Sequence, residues 1–238
     1  ALASLDQALA LKPDDAEAYY ERGKILIDLN RNDDATADFE KTLAIRPNLA
    51  EARIGSCMAE LPIMYADEGE IVRRRAAYER KLRALCDDVE AGRLTGDLVK
   101  ALATKHPFLL SYQGYNDRDL QNLYGAMVCR IVQRKFPAAE LPPPPADGEP
   151  VRIGIVSSFF FLHSNWKIPI KGWLSQLDRK RFKLFGYHVG TRRDAETDVA
   201  AAMCDRFVYR AFDVERWRRE ILADAPHVLI YPGLLMDN

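Results

Sequence analysis

The first 60 residues repeat with a period of 34, and this period most strongly limits how the chain can fold. Shifting the sequence by 34 residues aligns Leu9 with Leu43 and Pro13 with Pro47. Periods of about 20–50 residues are typical of stacked supersecondary units, each of which covers its apolar face with its neighbour. Because one and a half units cannot bury a continuous core, we expect further copies to precede Ala1.

The complete copy of the repeat spans residues 16–48 and predicts a pair of antiparallel helices. It carries an aromatic residue, two small contact residues, a packing aromatic and a helix-terminating proline in order, at Tyr19, Gly23, Ala35, Phe39 and Pro47. This pattern is that of the tetratricopeptide repeat. Residues 1–14 then supply the second helix of the preceding copy. A third copy begins at LAEARIGSCMAEL, so residues 1–60 form the predicted repeat region.

Residues 61–140 are predicted to form a helical bridge after the repeats. EGEIVRRRAAYERKLRALCDDV and DRDLQNLYGAMVCRIVQRKF both place apolar residues at helical spacing, and HPFLLSYQGYND connects them. We expect Arg73, Arg74 and Arg75 to lie on the solvated side of the first of these helices. His106 in the connection is interpreted as a structural hydrogen-bonding residue rather than a catalyst.

The segment LPPPPADGEP, residues 141–150, marks a domain boundary, because a run of four prolines cannot be helical and favours an extended conformation. After it, residues 151–238 alternate short apolar runs with amphipathic helices. VRIGIVSSFF, FKLFGYHVG, DRFVY and HVLIYPG are the predicted strands. Such alternation predicts a mostly parallel sheet covered by helices, a Rossmann-like lobe. The fold class is therefore α-helical repeats and bridge followed by an α/β lobe.

Polar side chains follow the predicted strands at the points where each strand ends. Ligands of such sheets bind outside the carboxyl ends of the strands. His163 is the candidate catalytic residue, because a neutral imidazole can accept a proton or hold a sugar or phosphate oxygen. The alternative is a loop histidine whose ring is satisfied by local hydrogen bonds. The candidate substrate-binding residues are Ser164, Asn165, Lys167, His188, Tyr231 and Gly233.

Several classes of function are disfavoured by what the sequence lacks. It contains no GxGxxG after the first strand, no phosphate-binding GxxxxGK[ST] loop and no GxSxG, and its four histidines lack metal-ligand spacing. We therefore expect no metal and no dinucleotide cofactor. A net charge of -1 gives no reason to expect nucleic acid as a partner, and no apolar run is long enough to cross a membrane. Four scattered cysteines suit a reducing compartment, so we expect a cytoplasmic protein.

The combination of segments resembles the protein O-linked N-acetylglucosamine transferases, a family that includes the SPINDLY type, and in particular their bacterial members. The resemblance covers nearly the whole chain, including ELPIMYADEGEIVRRRAAYERKL, HPFLLSYQGYND, VRIGIVSSFFFLHSNWK and PHVLIYPGLLMDN. It implies the GT-B architecture of two Rossmann-like lobes. His163 matches a histidine regarded as an active-site residue in the family, whereas Ser164 to Lys167 depart from the small-residue, proline-containing loop of the animal enzymes. A second active-site histidine of the animal enzymes aligns near Arg206.

This resemblance implies transfer of N-acetylglucosamine or another sugar, such as fucose, from a nucleotide-sugar to Ser or Thr of proteins. UDP-N-acetylglucosamine is the first donor to consider, with its site mostly outside residues 1–238. The repeats would bind the protein or peptide acceptor. Because the second lobe is expected to lie beyond Asn238, we expect residues 1–238 alone to be inactive. The alternative is a repeat scaffold whose Rossmann-like lobe binds a ligand without catalysis, and the departure at FFFLHSNWK favours that alternative.

Overall fold

A computed structural model describes residues 1–103 and 105–233 of the chain, which divides into two compact units, Ala1–Pro137 and Ala138–Asn238. Within the described residues no helix is both long and apolar enough to cross a membrane. The first unit is entirely helical: α1 Leu2–Leu11, α2 Ala16–Asp28, α3 Asn32–Ile45, α4 Ala50–Met58, α5 Glu68–Glu90, α6 Leu98–Leu102, a 3-10 helix Pro107–Gln113, and α7 Arg118–Lys135.

The ring of Phe39 is the packing centre of the repeats. It has 0% exposure and lies against two helices that each present a glycine to it. A Cβ atom at Gly23 on α2 would lie 3.0 Å from ring carbons of Phe39, and one at Gly55 on α4 would lie 2.8 Å from them. Because α4 presents a glycine to this ring as α2 does, it is the first helix of the third copy. The tetratricopeptide interpretation of this region is confirmed.

Helix α4 belongs to two hydrophobic cores at once. Ala52 on one side joins the cluster around Phe39. Ile54 and Cys57 on the other side join the bridge cluster, which also contains Tyr78 and other buried residues of α5 and α7. The repeats therefore continue into the bridge without a break in packing near residue 60. The predicted division at residues 60 and 61 stays a prediction, while Pro137 ends the whole helical unit.

The arginine run of α5 is only partly solvated. Arg74 binds Glu70 of its own helix and Asp33 at the start of α3, and its side chain is 14% exposed. Arg75 binds Asp117 at the start of α7 and is 16% exposed. The prediction of a solvated run is therefore wrong for these two residues. Long guanidinium side chains cover apolar surface and reach carboxylates on neighbouring helices, which composition alone does not reveal.

The second unit contains a four-stranded, fully parallel sheet in the order β3-β2-β1-β4. Each predicted strand occurs, so the α/β part of the fold class is confirmed. The elements are β1 Val151–Ser157, a π-helix Trp166–Ile170, α8 Lys171–Gln176, β2 Phe182–His188, α9 Ala195–Met203, β3 Arg206–Tyr209, α10 Val214–Ala223 and β4 Val228–Ile230.

The two faces of this sheet are covered by different helices. Ile155 and Leu184 point to one face and pack with the π-helix, α8 and α9. Tyr187 points to the other face and packs with Trp217 and Ile221 of α10. The chain thus runs outward from β1 to β3 and then crosses back to β4 on the far side of β1. That reversal lies between β1 and β4, the position where open parallel sheets hold their ligands.

Candidate functional site

The residues predicted as a site follow the carboxyl ends of three neighbouring strands. Ser157 ends β1 and pairs in register with His188, which ends β2. The connection after β1 carries His163, and the residues after β4 begin with Tyr231. The β1 and β4 connections flank the point where the strand order reverses. The sequence-based expectation that these segments share one edge of the sheet therefore agrees with the topology.

The His163 ring is half-buried at this edge and is held on one side by aromatic residues. It stacks on Phe159 with ring centroids 4.3 Å apart and planes at 20°, and Phe161 lies 5.7 Å away. The backbone N–H of Asn165 donates to Nδ1 of His163 over 3.2 Å. Since Nδ1 accepts a hydrogen bond, the neutral ring carries its proton on Nε2. Nε2 bonds to no other residue that the structure describes, so it can donate to a ligand oxygen.

The short π-helix Trp166–Ile170 fixes which side chains of this segment face solvent. Trp166 and Ile170 are fully buried, whereas Ser164 and Lys167 are exposed and Asn165 is half-buried. Pro169 within the segment has no N–H to donate, which suits the wider i to i+5 turn seen here. Single-turn π-helical segments occur frequently at functional sites. The polar residues predicted to bind substrate are thus presented outward by two buried anchors.

His188 lies behind the edge rather than on it. Its ring is fully buried and stacks on Tyr209 at 4.8 Å. Nε2 lies 2.7 Å from the carbonyl oxygen of Arg192 and Nδ1 lies 3.3 Å from that of Ser157. Burial lowers the pKa of His188, so the neutral form donates from Nε2 to Arg192. In this geometry His188 supports the connection after β2, and direct contact with substrate stays a prediction.

Acidification is expected to destabilise the second unit through His188. Its pKa is lowered in the folded state, so below the unfolded value of about 6.5 the unfolded chain binds more protons. Stability is then fully present above about pH 6.5 and falls as the pH drops toward the folded pKa, by at most about 1.4 kcal/mol per pH unit. Urea denaturation followed at pH 7.5, 6.5 and 5.5 measures this. The His188→Gln variant should lose this slope, and an unchanged slope would contradict the assignment.

Tyr231 and Gly233 lie on the opposite side of the reversal point from His163. Tyr231 directly follows β4 and is 52% exposed, whereas Gly233 is buried. Residues 234–238, which carry the end of the sequence resemblance, lie outside the described residues. Tyr231 can contact a ligand at the edge directly, whereas Gly233 contributes at most its backbone. Their binding roles stay predictions.

Arg206 does not lie at this edge. It pairs with Phe185 in register, three residues before His188 ends β2. Its guanidinium binds Asp224, and also Glu220 of α10 over 2.7 Å. Arg206 is therefore a structural residue of the α10 face.

Two acidic residues at the start of α9, Asp194 and Glu196, also support the site and were not predicted from the sequence. Asp194 accepts a hydrogen bond from the backbone N–H of Leu162, one residue before His163. Glu196 accepts one from the indole Nε1–H of Trp166. The segment DAET was the available signal in the sequence. It has the pattern of a capping box, in which an Asp or Ser begins a helix and a side chain three residues later accepts from its backbone N–H.

Comparisons with known proteins agree with the repeats and with the fold. A TPR repeat model matches residues 1–27, and a tetratricopeptide repeat model matches residues 16–49. No curated protein sequence matches the chain. A mutant form of the Thermobaculum terrenum O-GlcNAc transferase is similar in structure, with a TM-score of 0.52 and 19% identity. The match covers 96% of this chain and 41% of that enzyme, so the chain spans less than half of its length.

This structural match bears on the fold expected from the sequence resemblance. The helical repeat part followed by a four-stranded parallel sheet with helices is consistent with the first half of a GT-B fold. The resemblance to the bacterial transferases is thereby confirmed at the level of fold and repeats. At 19% identity the match shows shared architecture alone.

Proposed function

We propose that the protein containing these residues is a glycosyltransferase that moves a sugar from a nucleotide-sugar to Ser or Thr hydroxyl groups of proteins. The observation that carries the proposal is His163 at the carboxyl edge of β1, an imidazole whose Nε2 bonds to no other residue that the structure describes, in a fold shared with an O-GlcNAc transferase. N-acetylglucosamine is the proposed sugar, and UDP-N-acetylglucosamine the proposed donor. The Rossmann-like lobe of residues 151–238 would contribute the acceptor side of the active-site cleft. Most contacts to the nucleotide-sugar would be made outside residues 1–238.

The proposed role of His163 follows from its tautomer. Because Nδ1 is occupied by the N–H of Asn165, the ring offers Nε2–H as a hydrogen-bond donor. In the proposed reaction the acceptor hydroxyl oxygen forms a bond to the anomeric carbon, the bond from that carbon to the diphosphate oxygen breaks, and the hydroxyl proton passes to solvent or to the departing diphosphate. A donor aimed at the diphosphate oxygen stabilises the negative charge that develops there, and it also orients the reacting groups. This favours an orienting and electrostatic role over proton abstraction by His163. Lys167 is an exposed cation four residues away and would attract the diphosphate.

The tetratricopeptide helices are the proposed acceptor-binding part. Arrays of such repeats form extended concave surfaces that bind peptides or proteins. The four cysteines, all among the described residues, form no disulfide with one another, which suits a reducing compartment. We therefore propose a cytoplasmic enzyme with intracellular protein acceptors.

The test is sugar transfer by the complete gene product. It is incubated with radiolabelled UDP-N-acetylglucosamine or GDP-fucose and a Ser/Thr-rich protein mixture, and label in protein is counted before and after alkaline β-elimination. We expect alkali-labile label from UDP-N-acetylglucosamine. Label from GDP-fucose alone would keep the reaction class and change the sugar. Absence of transfer from both, with retained protein binding by the repeats, would overturn the proposal in favour of a scaffold with a non-catalytic lobe.

A further inference from the structure

The segment that follows β2, residues 189–196, runs alongside the loop that carries His163 and contacts it at five positions. We propose that this connection, here called the α9 clamp, holds the His163 ring in its working orientation, with Asp194 and Glu196 as positioning residues. The catalytic consequence rests on the proposed function. The structural part of the proposal stands on contacts within this unit alone and can be tested without turnover.

Asp194 uses its two carboxylate oxygens for two different tasks. Oδ1 caps α9 by accepting from the backbone N–H groups of Glu196 at 2.9 Å and Thr197 at 3.3 Å. Oδ2 accepts from the backbone N–H of Leu162 at 2.9 Å. These hydrogen bonds, with that from Leu162 the largest cause, lower the pKa of the Asp194 carboxyl. A carboxylate is needed for both tasks at once, because it alone accepts on both sides.

Glu196 holds the other end of the same short segment. Its Oε2 accepts from Nε1–H of Trp166 at 2.5 Å and from the ammonium of Lys171 at 3.0 Å. Trp166 is fully buried, so its indole fixes the start of the π-helix. Leu162 and Trp166 bracket His163 in sequence. Asp194 therefore holds the backbone before the candidate catalytic ring, and Glu196 holds the indole side chain that follows it.

The contacts between clamp and loop run in the same order along both segments. The carbonyl oxygen of Ser157 accepts from the N–H of Val189, and a Cβ atom at Gly190 would lie 2.7 Å from the carbonyl oxygen of Ser158. The Arg192 guanidinium lies 4.5 Å from the ring centroid of Phe161. The full order of partners is Ser157 with Val189, Ser158 with Gly190, Phe161 with Arg192, Leu162 with Asp194, and Trp166 with Glu196.

This ordered pairing distinguishes a positioning device from a simple helix cap. A cap needs only one oxygen of Asp194, and the second oxygen is directed to the loop. If the loop were released, the Phe159 stack and the Asn165 hydrogen bond on the His163 ring would no longer define its orientation. The clamp thus determines where Nε2 points, while the stability of α9 depends on the capping oxygen.

Asp194→Asn separates these two tasks. Asparagine caps helices as well as aspartate does, but its single oxygen cannot also accept from Leu162. In the 238-residue chain we expect amide exchange at Leu162 to become about tenfold faster or more, as for loss of a hydrogen bond to a charged group. The His163 ring signals in ¹⁵N-labelled protein should shift toward mixed tautomers, and the free energy of unfolding should fall by about the 1.4 kcal/mol that a tenfold change represents. In the complete protein, kcat should fall about tenfold with an unchanged KM for the nucleotide-sugar.

The matched control is Asp213→Asn, because Asp213 caps α10 through the N–H of Arg216 on the opposite face of the sheet. It should leave Leu162 exchange and the His163 signals unchanged.

Trp166→Phe, which keeps an aromatic ring and removes the indole donor, tests the second contact and should also disturb the His163 signals. Unchanged Leu162 exchange and His163 signals in Asp194→Asn and Trp166→Phe would overturn the clamp. Normal loop readouts with no sugar transfer by the wild type would instead overturn the proposed function alone.

Discussion

Replacing Phe39 with alanine is expected to lower the free energy of unfolding of the helical unit by about 3–5 kcal/mol. The ring has 0% exposure and is shared by three helices, α2, α3 and α4. Its closest neighbours at Gly23 and Gly55 have no side chains that could move into the vacated space. The cavity would therefore stay open, which places the cost at the upper end for large-to-small substitutions. Urea denaturation followed by circular dichroism measures the loss.

Two further variants serve as controls for this measurement. Leu11→Ala removes a side chain that is 89% exposed, so we expect a change within about 0.5 kcal/mol. Phe39→Leu keeps an apolar side chain between the glycines and should lose clearly less than the alanine variant. Because the chain contains two compact units, the transition of the helical unit has to be resolved from that of the α/β unit. A Phe39→Ala loss no larger than that of Leu11→Ala would show that the ring is not the packing centre.

The repeats and the sheet could be predicted from the sequence because both depend on local patterns. The positions of Gly23 and Phe39 are set by contacts between neighbouring helices, which recur with the period of the repeat. The buried strands appear as continuous apolar runs separated by helices. The end of β1 differs from the prediction, because the predicted strand VRIGIVSSFF runs to Phe160 whereas β1 ends at Ser157. FFF after Ser157 has strand-like composition, yet Phe160 leaves the sheet and packs edge-on against His188 and Phe207.

The polar contacts that complete the site could not be predicted in the same way. Asp194 and Leu162 are 32 residues apart, and Arg75 and Asp117 are 42 residues apart. Such pairs form only once parallel strands or neighbouring helices bring separate segments together. The run VRRRA was predicted to be solvated, because composition does not say which neighbour a side chain will meet, and RRDAETD gives no indication of its partners for the same reason. The burial of His188 could not be predicted either, because it depends on stacking against Tyr209 of a later strand.

The sequence did identify the edge residue that matters most for the proposed chemistry. His163 could be found because parallel strands direct functional loops to one edge, irrespective of the exact packing. Its role could not be derived in that way. Only the N–H of Asn165 against Nδ1 shows which ring nitrogen is available, and this turns a general candidate for acid or base chemistry into a candidate donor.

Substitution of His163 by alanine is expected to reduce sugar transfer by the complete protein about 10²–10³-fold, the usual effect of losing one preorganised donor to a reacting oxygen. The ring is half-buried and packs on Phe159, so its removal costs some stability but leaves the buried anchors Trp166 and Ile170 in place. Initial rates with saturating UDP-N-acetylglucosamine measure the effect. The fall should appear in kcat, because the lost contact acts on the reacting groups.

His163→Gln tests which role the ring has. A glutamine amide can donate a hydrogen bond but cannot take up a proton near neutral pH, so a donor role predicts partial recovery over alanine. A proton-accepting role predicts equal loss in both variants. Phe159→Leu measures how much of the alanine effect comes from packing and orientation of the ring, since it removes the stacked neighbour and leaves both imidazole nitrogens in place. Transfer at the wild-type rate in His163→Ala would remove this residue from the reaction, and with it the observation that links the edge of this sheet to glycosyl transfer.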